Sequence, residues 1–108
     1  MARARSILAV PTYRITLAVG RLSPGVTPET VLPAAADAAR VRVTVEACDL
    51  AVVRGEARVT VRYTADDDGQ AVDVARRVRA VVSGLADVSS PTLSRRYGSR
   101  WHRVRLDR

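Results

Sequence analysis

The sequence predicts a small α+β domain in which two helices pack on one face of an antiparallel sheet. Several short segments alternate apolar and polar residues with a period of two, as strands with one buried face do. Two other segments combine helix start signals with apolar residues at helical spacing. The chain has 108 residues, 47% of them hydrophobic, with one Trp, three Tyr and no Phe. We therefore expect a single domain, 1–108, with a core of Val, Leu, Ile and Ala.

Four strands are predicted from the alternation. The first covers residues 13–19, where Tyr13 and every second residue after it are apolar. The second alternates over 40–46 and is expected to continue past a bulge near Cys48 and Asp49 to Val53. The third follows the Arg54-Gly55 turn over 56–64. Residues 85–93 are expected to connect the second helix to the last extended segment, 101–106.

The helices are predicted between these strands. Thr27-Pro28-Glu29 provides a start for the first, which runs to about Ala39, although Pro33 favours a start nearer Thr30. The second begins at Asp66-Asp67-Asp68, where Asp67 and Gln70 have capping-box spacing, and ends at Gly84. The aspartates are interpreted as a cap rather than a cation site, because alternating oxygen ligands and a distal Glu are missing. The order βαββαβ is that of a ferredoxin-like two-layer sandwich.

Charge is distributed unevenly along the chain. The formal net charge is +7, yet residues 6–93 contain ten arginines and ten acids. The excess therefore lies in residues 1–11, expected to form a flexible basic N-terminus, and in the basic C-terminal segment 94–108, which holds the only Trp and the only His.

Arginines dominate the sheet face that the helices are expected to leave open. Guanidinium groups pair with phosphate, and an indole gives a base a surface on which to stack. This pattern predicts a non-catalytic module that binds a polyanion such as single-stranded nucleic acid. The residues expected to contact it are Arg14, Arg42, Arg58, Arg62, Trp101, Arg103 and Arg105.

A second hypothesis is a structural protein that forms a homodimer through the sheet face or an exposed strand edge. The arginines would then meet acids such as Glu46 or Asp66, Asp67 and Asp68 of a second copy across a two-fold axis.

The predicted topology resembles that of the RNA-recognition motif. That family carries [KR]-G-[FY]-[GA]-F-V-x-[FY] on its third strand, where this chain has RGEARVTV. Arg54, Gly55, Ala57 and Val59 match the motif. Its three aromatic positions hold Glu56, Arg58 and Val61, so the base-stacking part of the motif is missing. The chain is therefore not assigned to that family.

No catalytic or cofactor motif is found, so no enzyme activity, cofactor or metal is predicted. The loop from Gly20 to Thr27 is similar to a phosphate-binding loop, but Val26 stands where its lysine should be. Cys48 is expected to be a small buried hydrophobe, and His102 a buried, hydrogen-bonded residue on the apolar face. No apolar run reaches the roughly 20 residues that span a bilayer, and a cytoplasmic location is expected.

Overall fold

A computed structural model describes residues 10–106 of the chain. The predicted flexible N-terminus lies almost entirely outside these residues. An antiparallel sheet and two α-helices make up the fold. In chain order the elements are β1 (Thr12–Leu22), a short 3-10 turn (Pro28–Thr30), α1 (Val31–Arg40), β2 (Val45–Val53), β3 (Glu56–Thr64), α2 (Asp68–Ser83), β4 (Ala86–Tyr97) and β5 (Arg100–Val104). No helix in the described part of the chain is long and apolar enough to cross a membrane.

The sheet has five strands in the order β2-β3-β1-β4-β5, and each neighbouring pair is antiparallel. Four strands were predicted. The fifth arises because residues 86–97 form a strand of their own, while the segment predicted as the last strand forms a hairpin with it and becomes the sheet edge.

The core lies between the helices and one face of the sheet. On β1, Tyr13, Ile15 and Leu17 are at most 1% exposed, whereas Arg14 and Thr16 on the other face are half-buried. Tyr63 on β3 pairs with Tyr13 and is also fully buried. The period of two that predicted these strands is therefore confirmed. The core contains the predicted Val, Leu, Ile and Ala, and the two tyrosines join them.

Both helices begin close to their predicted starts. The 3-10 turn covers Pro28–Thr30 and α1 starts at Val31, so Pro33 falls in the first turn, where a missing N–H costs little. Asp67 accepts a hydrogen bond from the backbone N–H of Gln70 at 2.9 Å, and Gln70 Oε1 accepts one from the N–H of Asp66 at 2.7 Å. This reciprocal pair confirms the capping interpretation of the aspartates.

Strand β4 was missed because its sequence, ADVSSPTLSRRY, does not alternate. Its register against β1 shifts around Ser90, which has a positive φ of 51°, so apolar residues on the two sides of this bulge fall out of phase. Pro91 is tolerated because β5 pairs only with Leu93 to Tyr97, which leaves the Pro91 side of β4 without a second neighbour.

The start of β2 was also wrong. Residues 41–43 form the turn that follows α1, and the strand begins at Val45. Arg40 therefore ends a helix, and Arg42 lies in the turn rather than on the sheet. The bulge occurs at Glu46, between Val45 and Ala47, not near Cys48. Cys48 is exposed because β2 is an edge strand that the helices cover only in part.

Candidate nucleic-acid interface

The face of the sheet opposite the helices is open, and its floor carries hydroxyl groups. Thr16 on β1 lies between Thr60 on β3 and Thr92 on β4 in the strand register. The Oγ1 atoms of Thr16 and Thr60 are 3.2 Å apart and share a hydrogen bond. Ser94 pairs with Arg14 and is almost fully buried. Short hydroxyl side chains keep this floor low and leave room for longer side chains to lie across it.

Arg14 and Trp101 contact each other on this face. The Arg14 guanidinium carbon lies 4.2 Å from the centre of the Trp101 ring, a cation–π distance. Trp101 is opposite Arg96 on β4, and Arg14 is opposite Ser94 on the other side of the same strand. The small Ser94 side chain leaves space for the indole to reach across β4. The contact fixes the orientation of both side chains.

A groove of about 340 Å³ opens beside this pair. We call it the Trp groove. Three arginines and one acid line it, so its local charge is positive. Its lining residues are Arg14, Ala47, Cys48, Asp49, Thr60, Arg62, Arg96, Ser99 and Trp101.

A second groove, of about 320 Å³, adjoins the first and shares Arg14 and Thr60 with it. We call it the hydroxyl groove because five of its lining residues are serine or threonine. The full set is Arg14, Thr16, Ala18, Glu56, Arg58, Thr60, Ser90, Thr92 and Ser94. Together the two grooves form a polar channel across β3, β1 and β4.

Two arginines on this face are paired with acids. Arg58 Nε donates to Glu56 Oε1 at 3.2 Å, and Arg62 Nε lies 3.4 Å from Glu46 Oε1. The second contact lacks hydrogen-bond geometry, so the buried Nε–H of Arg62 has no partner. Exposed pairs of this kind contribute only about 0–1 kcal/mol, so a phosphate can compete for these arginines.

Arg14 and Arg96 have no acidic partner within residues 10–106. Arg14 is held by the indole of Trp101, and Arg96 donates from Nε to the backbone oxygen of Gly98 at 2.8 Å. Both side chains are therefore oriented by neutral groups, which leaves their charge available for an anion.

The structure brings together four of the seven predicted contact residues: Arg14, Arg58, Arg62 and Trp101 line the two grooves. Arg103 is opposite Ser94 and so shares the open face by register, but it lines clefts at the β5 edge. Arg105 follows the end of β5 and lines the same edge clefts. Arg42 is wrongly placed by the sequence analysis, because it lies in the turn after α1. The open face also carries three acids, Glu46, Asp49 and Glu56.

Arg96 is a groove arginine that sequence reasoning missed. Gly98 and Ser99 form a two-residue turn between the paired Tyr97 and Arg100, and Gly98 has a positive φ of 63°. A Gly-Ser dipeptide between extended segments is a hairpin signal. Recognising it would have placed Arg96 directly opposite Trp101.

A polar cluster on the helix side of the sheet ties β1 and β4 to the start of α2. The Tyr13 hydroxyl donates to Asp68 Oδ1 at 2.6 Å, and Arg95 Nη1 lies 3.0 Å from the same oxygen. The hydrogen bond from Tyr13, with help from Arg95, holds the pKa of Asp68 below its usual value. Burial and the neighbouring carboxylate raise the pKa of Tyr13. This cluster connects sheet and helix.

His102 lies beside this cluster and is exposed, so the prediction of a buried histidine was wrong. Its ring meets that of Tyr97 edge to face, with centroids 5.1 Å apart. By register the His102 side chain points to the helix side of the sheet, as predicted. It is exposed because the helices do not extend over β5. Among residues 10–106, no group of three or more His, Cys, Asp or Glu side chains is placed to hold a metal ion.

Comparison of the chain with protein-family models, curated proteins and solved structures finds no match.

Proposed function

We propose that this protein is a non-catalytic module that binds single-stranded nucleic acid on its open sheet face. The observation that carries the proposal is the Trp groove, which Arg14, Arg62 and Arg96 line together with the single tryptophan. We propose further that β2-β3-β1-β4 and the two helices form a ferredoxin-like unit, with β5 added at its edge. In that arrangement the added strand is what supplies Trp101.

The chemistry of the groove fits a phosphate chain with bases attached. Arginine forks match phosphate oxygens in two parallel hydrogen bonds, and three arginines line the Trp groove. Trp101 is half-buried, with one ring face toward Arg14, and its remaining accessible surface can stack against a base. A flexible single strand can place bases and phosphates in these positions, whereas the bases of a duplex are already stacked.

The hydroxyl groove extends the site along the strand. Its threonine and serine side chains can donate to phosphate or sugar oxygens, and Arg58 stands at its rim. These contacts read no base edge, so they favour binding with little sequence preference.

Binding is tested by fluorescence anisotropy with a labelled single-stranded oligonucleotide, its duplex and polyphosphate of equal charge. We expect the single strand to bind most tightly, because it alone combines phosphates with unstacked bases. Arg96→Glu should weaken binding strongly. Arg42→Glu makes the same charge change outside the grooves and should have a much smaller effect. Equal losses from both variants, or equal affinity for polyphosphate, would show that general charge attraction accounts for the binding.

A further inference from the structure

The two edges of the sheet differ in how well they are protected. The β5 edge is five residues long, carries Arg100 and Arg103, and is followed by Leu106, whose backbone oxygen accepts from Arg76. The β2 edge is nine residues long, and between Ala47 and Val53 Asp49 is its only charged side chain. Within residues 10–106 no strand pairs with its outer side. A long edge with so few charged side chains readily pairs with another strand.

The hairpin turn shows which backbone groups of β2 point outward. Arg54 and Gly55 both have positive φ, 53° and 80°, so they form a type I′ turn that closes the pair Val53 and Glu56. These two residues hydrogen-bond to each other, and the pattern alternates along the strand. Ala51 and Asp49 therefore also bond to β3, whereas the N–H and C=O groups of Val52, Leu50 and Cys48 face away from the sheet.

The same three residues expose apolar surface. Leu50 is 46% exposed and Val52 is 71% exposed, although both share the sheet face of the buried Val59. Free backbone groups and uncovered apolar side chains thus lie together along the outer edge of β2. A second apolar strand that paired with this edge would bury both.

We propose that β2 pairs in antiparallel fashion with β2 of a second copy of this chain, about a two-fold axis at Leu50. This register places Leu50 opposite Leu50 and Cys48 opposite Val52, so the apolar side chains of both copies meet. A two-fold axis at Asp49 would instead place two aspartates directly opposite each other, which is unfavourable. The Leu50 register puts Asp49 opposite Ala51 and brings Glu46 of one copy near Arg54 of the other.

Pairing through β2 produces one continuous ten-stranded sheet. Because the axis is perpendicular to the sheet, both open faces lie on the same side of the dimer. The two β1 strands are then five strand spacings apart, or about 24 Å. Where the proposed nucleic-acid binding holds, one long strand can occupy both Trp grooves and bind more tightly than a short one. Dimer formation itself does not depend on that binding.

Sedimentation equilibrium without nucleic acid tests the dimer. We expect the native chain to sediment as a dimer at micromolar concentration and at high salt. Leu50→Lys should raise the dimer dissociation constant by about tenfold or more, because it places two like charges opposite each other. Val52→Lys changes a more exposed position on the same edge and guards against misfolding of the first variant. Circular dichroism should show that its fold is intact. A native chain that is monomeric, or a dimer that both variants leave unchanged, would overturn the proposal.

Disulfide trapping tests the register in a Cys48→Ser background. Residues 49 and 51 form a pair without mutual hydrogen bonds, whose close Cα atoms suit a disulfide. The double variant Asp49→Cys with Ala51→Cys should give a covalent dimer on oxidation, and either single variant should not. Cross-linking by Asp49→Cys alone would indicate an axis at that residue and would contradict the proposed register. These outcomes are independent of nucleic-acid binding, so they leave the proposed function to its own test.

Discussion

The guanidinium group of Arg14 lies over the indole of Trp101, 4.2 Å from the ring centre, across the intervening strand β4. One side chain comes from the centre of the sheet and the other from its edge hairpin. The contact holds a cation and an aromatic surface side by side before any ligand arrives. Because less side-chain freedom is lost on binding, this arrangement lowers the entropic cost of forming a complex.

The first prediction concerns the stacking role of Trp101. Trp101→Ala should weaken single-strand binding by about 1–3 kcal/mol, since it removes the stacking surface and frees Arg14. Trp101→Phe keeps an aromatic ring and should recover part of the loss. Titration calorimetry of the three proteins measures the difference. Equal affinity of the alanine variant and the native chain would remove the stacking role.

The second prediction concerns the salt dependence of binding. Arg14→Ala or Arg62→Ala should each reduce the slope of log K against log salt by about 0.7, because each phosphate contact to a single strand releases that fraction of a counterion. Arg42→Ala is the matched control and should leave the slope unchanged. Binding constants at four or five salt concentrations provide the slopes. A reduction in the control as large as in the groove variants would argue against the site.

A third prediction concerns stability in acid. Because the Tyr13 hydrogen bond lowers the pKa of folded Asp68, its stabilising effect is complete above the unfolded value of about 3.9 and is lost as the pH falls through the lower folded value. The carboxylate is half exposed, so its contribution is screened to on the order of 1 kcal/mol or less. The free energies of unfolding of the native chain and of Asp68→Asn, measured in urea, should differ at pH 6 and approach each other as the pH falls below the unfolded value. A constant difference would show that the carboxylate charge contributes nothing.

A fourth prediction concerns stability at alkaline pH. The buried Tyr63 hydroxyl donates to the backbone oxygen of Ala71 at 2.7 Å, and burial raises its pKa. Since the folded pKa exceeds the unfolded value of about 10, stability is complete below pH 10 and decreases above it, where the unfolded chain releases the proton first. Tyr63→Phe should cost about 1 kcal/mol at neutral pH and flatten this alkaline decrease. Unfolding curves at pH 8 and pH 11 give both values, and an equally steep decrease in the variant would contradict the assignment.

The sequence predicted the parts of the fold where side-chain periodicity is regular. Tyr13, Ile15 and Leu17 alternate with polar residues along a straight central strand, and their burial follows from that alternation. The bulge at Ser90 interrupts this alternation in β4, so the whole strand was missed. Arg96, which lies opposite Trp101 on that strand, was missed for the same reason. The alternation of apolar and polar residues within one strand does not reveal such register shifts, because they depend on how that strand pairs with its neighbours.

Burial at the sheet edges was the other source of error. Cys48 was predicted to be buried because it sits in a Val-rich strand, and His102 was assigned to the apolar face from the alternation. The register places both side chains on the helix side of the sheet. Both are nevertheless exposed, because two helices do not cover five strands. The alternation indicates which way a side chain points, whereas the width of the helix layer decides whether it is covered.

Titration of the native chain with a short single-stranded oligonucleotide, followed by Trp101 fluorescence at low and high salt, tests the central claim most directly. The chain has one tryptophan, so any change in emission reports on the Trp groove. The account predicts saturable quenching at low salt that weakens steeply as salt is added, because phosphate contacts displace counterions. Emission that stays unchanged at low salt while the oligonucleotide is in excess would contradict binding at this site.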